Sequence, residues 1–335
     1  MAAPSDVNET YLSSSPHFHS GSSTRKTMLT VIISLLPVCI YSIVLFGIQS
    51  LVAILASVTS CVAFEYCFQK LTHQKVRVGD LSAIVTGILM ALVLPPAMGS
   101  WSNIWRIVLA AFMAIVVAKG FFGGIGANVF NPALIGRAFL VVSFPTQMTT
   151  WTYPAFLNKV DALSSATILS KLKQGELPLQ TMSDFKDYFF GLRAGCIGET
   201  AIFLILIAFI FLLCTKTIDY RAPLGMVCTT LIGSVIASCV KGTNIGSDIL
   251  LTLLTGGLLF GATFMVTDYA TTPVTKKGRL IFGIGCGLIT FLIREFSGYP
   301  EGVMFSILIM NSTVSFLNRL IGKKYGFVKK PKGGK

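Results

Sequence analysis

The chain has 335 residues, 53% of them hydrophobic and only 12% charged, whereas ordinary soluble domains carry about a quarter charged residues. That excludes an ordinary soluble domain and a disordered tail, and places the chain in a bilayer. The formal charge of +13 does not point to nucleic acid, because the basic residues lie between apolar runs and in the last seventeen residues rather than on a recognisable binding element.

The first 24 residues are polar and Ser-rich with no apolar core, so a cleaved signal peptide is not expected. His17 and His19 in SPHFH, like His73, have no acidic or thiol company, and no metal site is expected. Apolar runs of bilayer length follow, starting at Thr27, Leu51, Leu81, Trp101, Ile197, Pro223, Ile249, Leu280 and Gly302, given about 20 residues per crossing and fewer where a helix is broken. One more run, PALIGRAFLVVSF from Pro132 to Phe144, is short and contains Arg137, so hydropathy alone reads it as a crossing or as a re-entrant half-helix.

Charge resolves that ambiguity, because Lys and Arg accumulate in short cytoplasmic loops. With ten crossings and a cytoplasmic N-terminus, one face collects Arg25, Lys26, Lys70, Lys75, Arg77, Lys119, Lys216, Arg221, Lys276, Lys277, Arg279 and the seven basic residues from Arg319 to Lys335, eighteen of the 27. The opposite short loops are nearly bare. Removing the Pro132 crossing would turn every later loop over. The expected fold is therefore an all-α, multi-pass integral membrane protein of ten transmembrane helices, with both termini cytoplasmic. It divides into a cytoplasmic segment (1–26), a first five-helix repeat (27–144), an external polar insert (145–193), a second five-helix repeat (194–320) and a basic cytoplasmic tail (321–335). Five helices per half require the repeats to be inverted, an architecture of transporter-like folds. Two echoing segments support a repeat: KGFFGGIGANVFNPALIGRAFL closes the first half and REFSGYPEGVMFSILIMNSTVSFLNRL the second.

Eight cysteines lie in or beside apolar runs without a CxxC pair, so neither a disulfide framework nor a protein-bound iron–sulfur cluster is supported. GGIGAN at 123–128 and the following Asn131-Pro132 read as a helix break whose free N–H groups face the membrane interior. Close packing through small residues explains the glycines but explains Asn128 and Asn131 less well. Glu65, Glu199 and Asp268 lie in or beside apolar runs; Glu65 and Asp268 are candidates for handling a cation or proton, with snorkelling to water as the alternative. Asp80 and Asp248 read as helix N-caps. Within the insert, DALSSAT at 161–167 reads either as a helix start or as a small-residue segment that presents a hydroxyl to an outside enzyme.

DALSSAT resembles the flavinylation motif acid-x-x-Ser/Thr-Gly-Ala-Thr, with Ser165 where that motif usually has Gly. Together with SSSPHFHSGSSTRKTML, GGIGANVFNPALIGRAFL, GATFMVTDYATTPVTKKGR and YPEGVMFSILIMNSTVSFLNRL, it resembles the family that holds the D subunits of the Rnf complex and the B subunits of the sodium-translocating NADH:quinone reductase. The likeness runs from about Ser13 to Lys324 and is nearer the former, since the latter carry a longer N-terminal extension. The resemblance implies an electron-transfer subunit of an ion-translocating ferredoxin:NAD oxidoreductase, coupled to sodium ions or protons. It implies FMN joined by a phosphoester to Thr167 on the outer face, with Asp161, Ser164, Ser165 and Ala166 as the attachment motif. It further implies a non-covalent flavin such as riboflavin near Asn128 and Asn131. Its implied partners are the other Rnf subunits, a second FMN-carrying subunit and iron–sulfur subunits among them, and a flavin transferase for maturation. A solute channel or carrier without a redox group is the competing reading of an inverted repeat around a polar break.

Overall fold

A computed structural model describes residues 23–154, 182–297 and 301–321. Every regular element among them is helical, with no strand. Helix α1 (Thr24–Phe46) starts at Ser23, whose hydroxyl accepts from Lys26 N at 3.2 Å, a side-chain N-cap. Gly47, at φ +70°, is the single residue between α1 and α2 (Ile48–Leu71); the positive φ suits glycine and breaks the helix there.

The first part continues with the short α3 (Ser82–Leu92) and then α4 (Ile104–Phe112), which runs on as a π-helix over Met113–Gly120. Next come α5 (Pro132–Ser143) and the single turn α6 (Pro145–Met148). After the polar insert, α7 (Met182–Phe190) precedes α8 (Ile202–Cys214) and α9 (Arg221–Lys241). Helix α10 (Ile245–Leu254) is followed at a 54° bend by α11 (Leu258–Phe260), which continues as a second π turn over Gly261–Met265. Helices α12 (Lys276–Phe296) and α13 (Val303–Ile321) complete the described chain.

Among the described residues, four helices are long and apolar enough to cross a membrane, and five if the bent α10–α11 pair is one span; α3, α5 and α8 are shorter apolar helices. These make a multi-pass membrane protein. Helices pack at backbone distance through glycine, as membrane helices do when no bulky side chain intervenes. A Cβ on Gly87 of α3 would stand 2.7 Å from Val58 Cα of α2, and Ser57 Oγ donates to Gly87 O at 2.7 Å. On the other side, Cβ atoms on Gly283 and Gly287 of α12 would stand 2.2 and 2.4 Å from the carbonyl oxygens of Ala222 and Met226 on α9.

The far end of the insert is anchored. Tyr41 Oη of α1 donates to Phe190 O at 2.9 Å, and the Phe203 ring of α8 lies against both Tyr41 and Phe190. Whatever the insert carries is thus tethered where α7 meets α1 and α8.

Candidate functional site

The breaks in the helices converge. Asn131 caps α5: its Oδ1 accepts from Ala133 N at 3.1 Å and Leu134 N at 3.4 Å, with Pro132 at the first helical position. Pro there sacrifices no hydrogen bond, so NPAL is a local instruction to start a helix inside an apolar environment. The cap uses the amide oxygen, and Asn131 also lines a pocket. Asn128 lines the same pocket, and its Nδ2 donates to Phe130 O at 3.2 Å.

That pocket has a volume of about 90 Å³, where about 10–15 Å³ on the same scale holds one water. Its walls are apolar (Val31, Val85, Leu89, Phe264) with polar groups set among them: Thr27, Thr86 and Asp268 besides the two asparagines. Lys119, in the π turn of α4, also reaches it. Both π-helices border this one pocket, consistent with the tendency of π turns to occur at functional sites.

Lys119 and Glu65 are each only 4% exposed. Lys119 Nζ donates to Glu65 Oε1 at 2.8 Å and to Ser82 Oγ at 2.6 Å, while Gln69 Nε2 donates to the same Glu65 oxygen at 3.2 Å. Glu65 Oε2 is buried without a partner. Glu65 therefore does not snorkel: Lys119 compensates its charge inside the helix bundle, as burial demands. Asp268 lies just past the second π turn and organises its own loop, accepting from Ala270 N at 3.3 Å and Thr271 Oγ1 at 3.1 Å.

The two echoing segments of the sequence meet beside the pocket. With its amide oriented to satisfy both neighbours, Asn311 of α13 accepts from Asn131 N and donates to Thr271 O, each at 3.1 Å. Six residues further along α5, buried Arg137 donates to Glu301, just ahead of α13, at 2.5 Å and to Cys196 Sγ at 3.5 Å. Cys196 N in turn donates to Glu199 Oε1 at 3.2 Å. Cys196, Glu199 and Glu301 place one ligand atom each within 4.8 Å of one another, with the Arg137 guanidinium as their positive partner.

Asn128, Asn131 and Asp268 are thus brought together, and Glu65 joins them through Lys119. Glu199 stands apart, in the Arg137 network. Thr167, Asp161, Ser164, Ser165 and Ala166 lie outside the described residues. Lys119 and Ser82 were not legible as site residues; the one local sign was a lysine inside AIVVAKG, which served only as topological charge. Asp80 is a correction: Leu81, at φ +67°, is the residue ahead of α3 and makes no side-chain cap, while Asp80, one residue earlier, accepts from Ser82 N at 2.8 Å and Ser82 Oγ at 2.7 Å. Asp248 is a correction: Asn244 caps α10, and Asp248, a turn later, accepts from Ser238 and Thr243 instead.

A family model described as the NQR2, RnfD, RnfE family matches residues 11–326. The chain is 39% identical over 327 residues to the D subunit of the Na(+)-translocating ferredoxin:NAD(+) oxidoreductase complex of Acetobacterium woodii, covering 97% of this chain and 98% of that one. It is 38% identical over 316 residues to the D subunit of the proton-translocating ferredoxin:NAD(+) oxidoreductase complex of Clostridium ljungdahlii, covering 92% and 93%. A third relative, the D subunit of the ion-translocating oxidoreductase complex of Stutzerimonas stutzeri, is 37% identical over 327 residues, covering 89% and 91%. With a family model spanning nearly its whole length and full-length relatives above one-third identity, the chain belongs to the NQR2, RnfD, RnfE family.

Proposed function

We propose that this chain is the membrane-embedded, electron-transferring D subunit of an Rnf-type ion-translocating ferredoxin:NAD oxidoreductase, with FMN held as a phosphoester on Thr167 and a second, non-covalent flavin in the pocket at the start of α5. The observation that carries the reading is that pocket. It is apolar-walled, lies between helix breaks inside a membrane protein, and offers amide and hydroxyl groups from Asn128, Asn131, Thr27 and Thr86. Such a donor set suits the edge of an isoalloxazine ring, which both donates and accepts. The flavin, once bound, supplies the electron chemistry; the protein binds it, orients it and keeps water from it.

Ten membrane segments fit the described helices: four long spans, the bent α10–α11 pair, the short α3, α5 and α8, and the long helices α12 and α13. An inverted repeat is supported by matching ion pairs. Near the ends of α2 and α4, Glu65 pairs with Lys119; near the ends of α9 and α12, Lys241 pairs with Glu295. On this reading the termini are cytoplasmic, the insert with Thr167 faces outward, and the first pair lies toward the cytoplasm and the second toward the outside. Glu65 and Asp268 then flank the route of the coupled ion. Sodium ions and protons appear in the names of two relatives of nearly equal identity, so overall identity does not select the ion.

Co-expression with a flavin transferase tests the attachment. The denatured protein band fluoresces yellow, mass spectrometry of the peptide spanning residues 160–171 finds FMN on Thr167, and Thr167→Ala abolishes both signals without loss of membrane insertion. A colourless wild-type band favours the channel or carrier reading, and FMN on Ser164 or Ser165 refutes the assignment.

A further inference from the structure

A second cavity, of about 150 Å³ and larger than the first, opens between α9, α10 and α12. No part of the proposed electron-transfer function uses it. Its chemistry is unusual for a cleft among membrane helices, because four charged side chains line it and they sum to zero: Asp248, Glu295, Lys241 and Arg294.

Lys241 and Glu295 pair with each other, whereas Asp248 and Arg294 are held by neutral groups rather than by a counter-charge. Asp248 Oδ2 accepts from Ser238 Oγ at 2.6 Å and from Thr243 Oγ1, which leaves Oδ1 to accept from a ligand. Arg294 spends both terminal nitrogens on the carbonyls bared by the break between α10 and α11: Nη1 donates to Thr252 O at 3.2 Å, and Nη2 to Thr255 O and Gly256 O at 3.1 Å. Its Nε is buried with no partner, although a buried donor left unmade is costly. Lys241, the last residue of α9, pairs with Glu295 at the rim and keeps 56% of its side chain exposed. On the same helix exposed apolar side chains alternate with the lining residues in sequence, Val240 at 82% next to Lys241 and Ile236 at 58% next to Ala237, and in a membrane protein such side chains meet acyl chains.

We propose that this cleft binds the headgroup of a zwitterionic phospholipid carrying a primary ammonium, of the phosphatidylethanolamine class. The ammonium donates to Asp248 Oδ1 and the surrounding hydroxyls; the phosphodiester accepts from Lys241 Nζ and lies in the field of the Arg294 guanidinium. A site with one carboxylate and one guanidinium lacking a counter-charge, and no net charge, favours a ligand that carries both signs. A free metal cation meets Lys241 and Arg294, and an anionic headgroup leaves Asp248 facing no positive partner. The acyl chains lie along the exposed apolar side chains of α9.

Native mass spectrometry of the full chain, purified in detergent and delipidated, reads the result. One phosphatidylethanolamine is retained about tenfold better than phosphatidylglycerol, the ratio that about 1.4 kcal/mol of charge-assisted hydrogen bonding sets. Asp248→Asn, similar in size and still able to accept from Ser238 and Thr243, brings that ratio to about one, since only the charged contact with the ammonium is lost. Lys241→Gln, at a half-exposed position where folding is not at stake, weakens retention of both lipids. Arg294 is left intact because it holds the helix break. Equal retention of the two lipids by the unaltered chain, an unchanged ratio in Asp248→Asn, or thermal stabilisation by inorganic phosphate or sodium chloride equal to that by phosphatidylethanolamine overturns the proposal.

Discussion

Two side chains near the first pocket carry two roles each, and substitution can separate them. Asn131 caps α5 through Oδ1 and also lines the pocket. Replacing it with Leu removes both and costs about 1 kcal/mol of helix stability. Asn131→Ser keeps a capping oxygen, adds no charge and removes the amide group, so it releases the non-covalent flavin while thermal stability stays near that of the unaltered chain. Extracted-flavin analysis should show the denaturation-resistant flavin intact in both variants; if Asn131→Ser retains the extractable flavin, the Asn131 amide does not hold it. Glu65 and Lys119 form the second case. Breaking a buried pair from one side costs about 3–5 kcal/mol because the other charge stays buried, whereas removing both is nearly neutral. Lys119→Met is therefore strongly destabilising, and adding Glu65→Leu restores most of the melting temperature. Ion translocation by the complex stays lost in the double variant if Glu65 handles the ion, and recovers if the pair is only structural. The cap was legible in the sequence because Asn-Pro ahead of an apolar run is a local signal. The pair was not, because Glu65 and Lys119 are 54 residues apart and nothing in the spacing of either says that both turn inward.

At the scale of elements, the start of α9 and the start of α12 are tied by one carboxylate in the turn before α9. Asp219 accepts from Arg221 N at 3.0 Å, from Arg221 Nη1 at 3.2 Å and from Arg279 Nη1 at 3.1 Å. Partial burial alone would raise its pKa, but these hydrogen bonds and the two guanidinium charges outweigh burial and hold the carboxyl below the ordinary range. A folded-state pKa below the unfolded one means that Asp219 stabilises the fold above about pH 4, the ordinary Asp value, and that this contribution fades as pH falls through the folded pKa. Asp219→Asn should thus lower the thermal midpoint at neutral pH, by the equivalent of about 1 kcal/mol for a partly exposed network. The gap to the unaltered chain should close in acid; a gap independent of pH would assign the loss to packing instead. Helix existence was readable along most of the chain from apolar runs and their polar interruptions. The 54° bend after Leu254 and the two π turns were not, because they depend on partners that periodicity does not register: Arg294, forty residues on, satisfies the carbonyls at the bend.

At the scale of the whole molecule, ten segments and an external insert follow from charge bias and from the crossing at α5, and accessibility from the two sides of the membrane tests both. Four native cysteines are exposed, Cys67, Cys214, Cys228 and Cys239, and must be replaced; Cys39, Cys61, Cys196 and Cys286 are buried and can stay, which spares the Arg137 contact of Cys196. Single cysteines are then placed at exposed positions: Ser102, between α3 and α4; Lys75, between α2 and α3; and Lys276, at the start of α12. A fourth goes at Lys173 in the insert. Ser102 and Lys173 should be labelled in intact cells by a membrane-impermeant thiol reagent, and Lys75 and Lys276 only after the cells are opened. The four positions fail in distinguishable ways. If Ser102 and Lys75 behave as expected while Lys173 and Lys276 exchange behaviour, α5 is a re-entrant half-helix: nine crossings remain, the halves no longer match, and Thr167 faces the cytoplasm. If all four exchange, the helix count stands and the orientation is reversed, which would contradict the crowding of eighteen basic residues onto one face. The expected pattern places Asn131 and Arg137 on a helix that crosses the membrane, with the pocket near Glu65 toward the cytoplasm and the insert outside; under the proposed function, electrons moving between flavins at those two places would cross the same helices that hold Glu65 and Asp268.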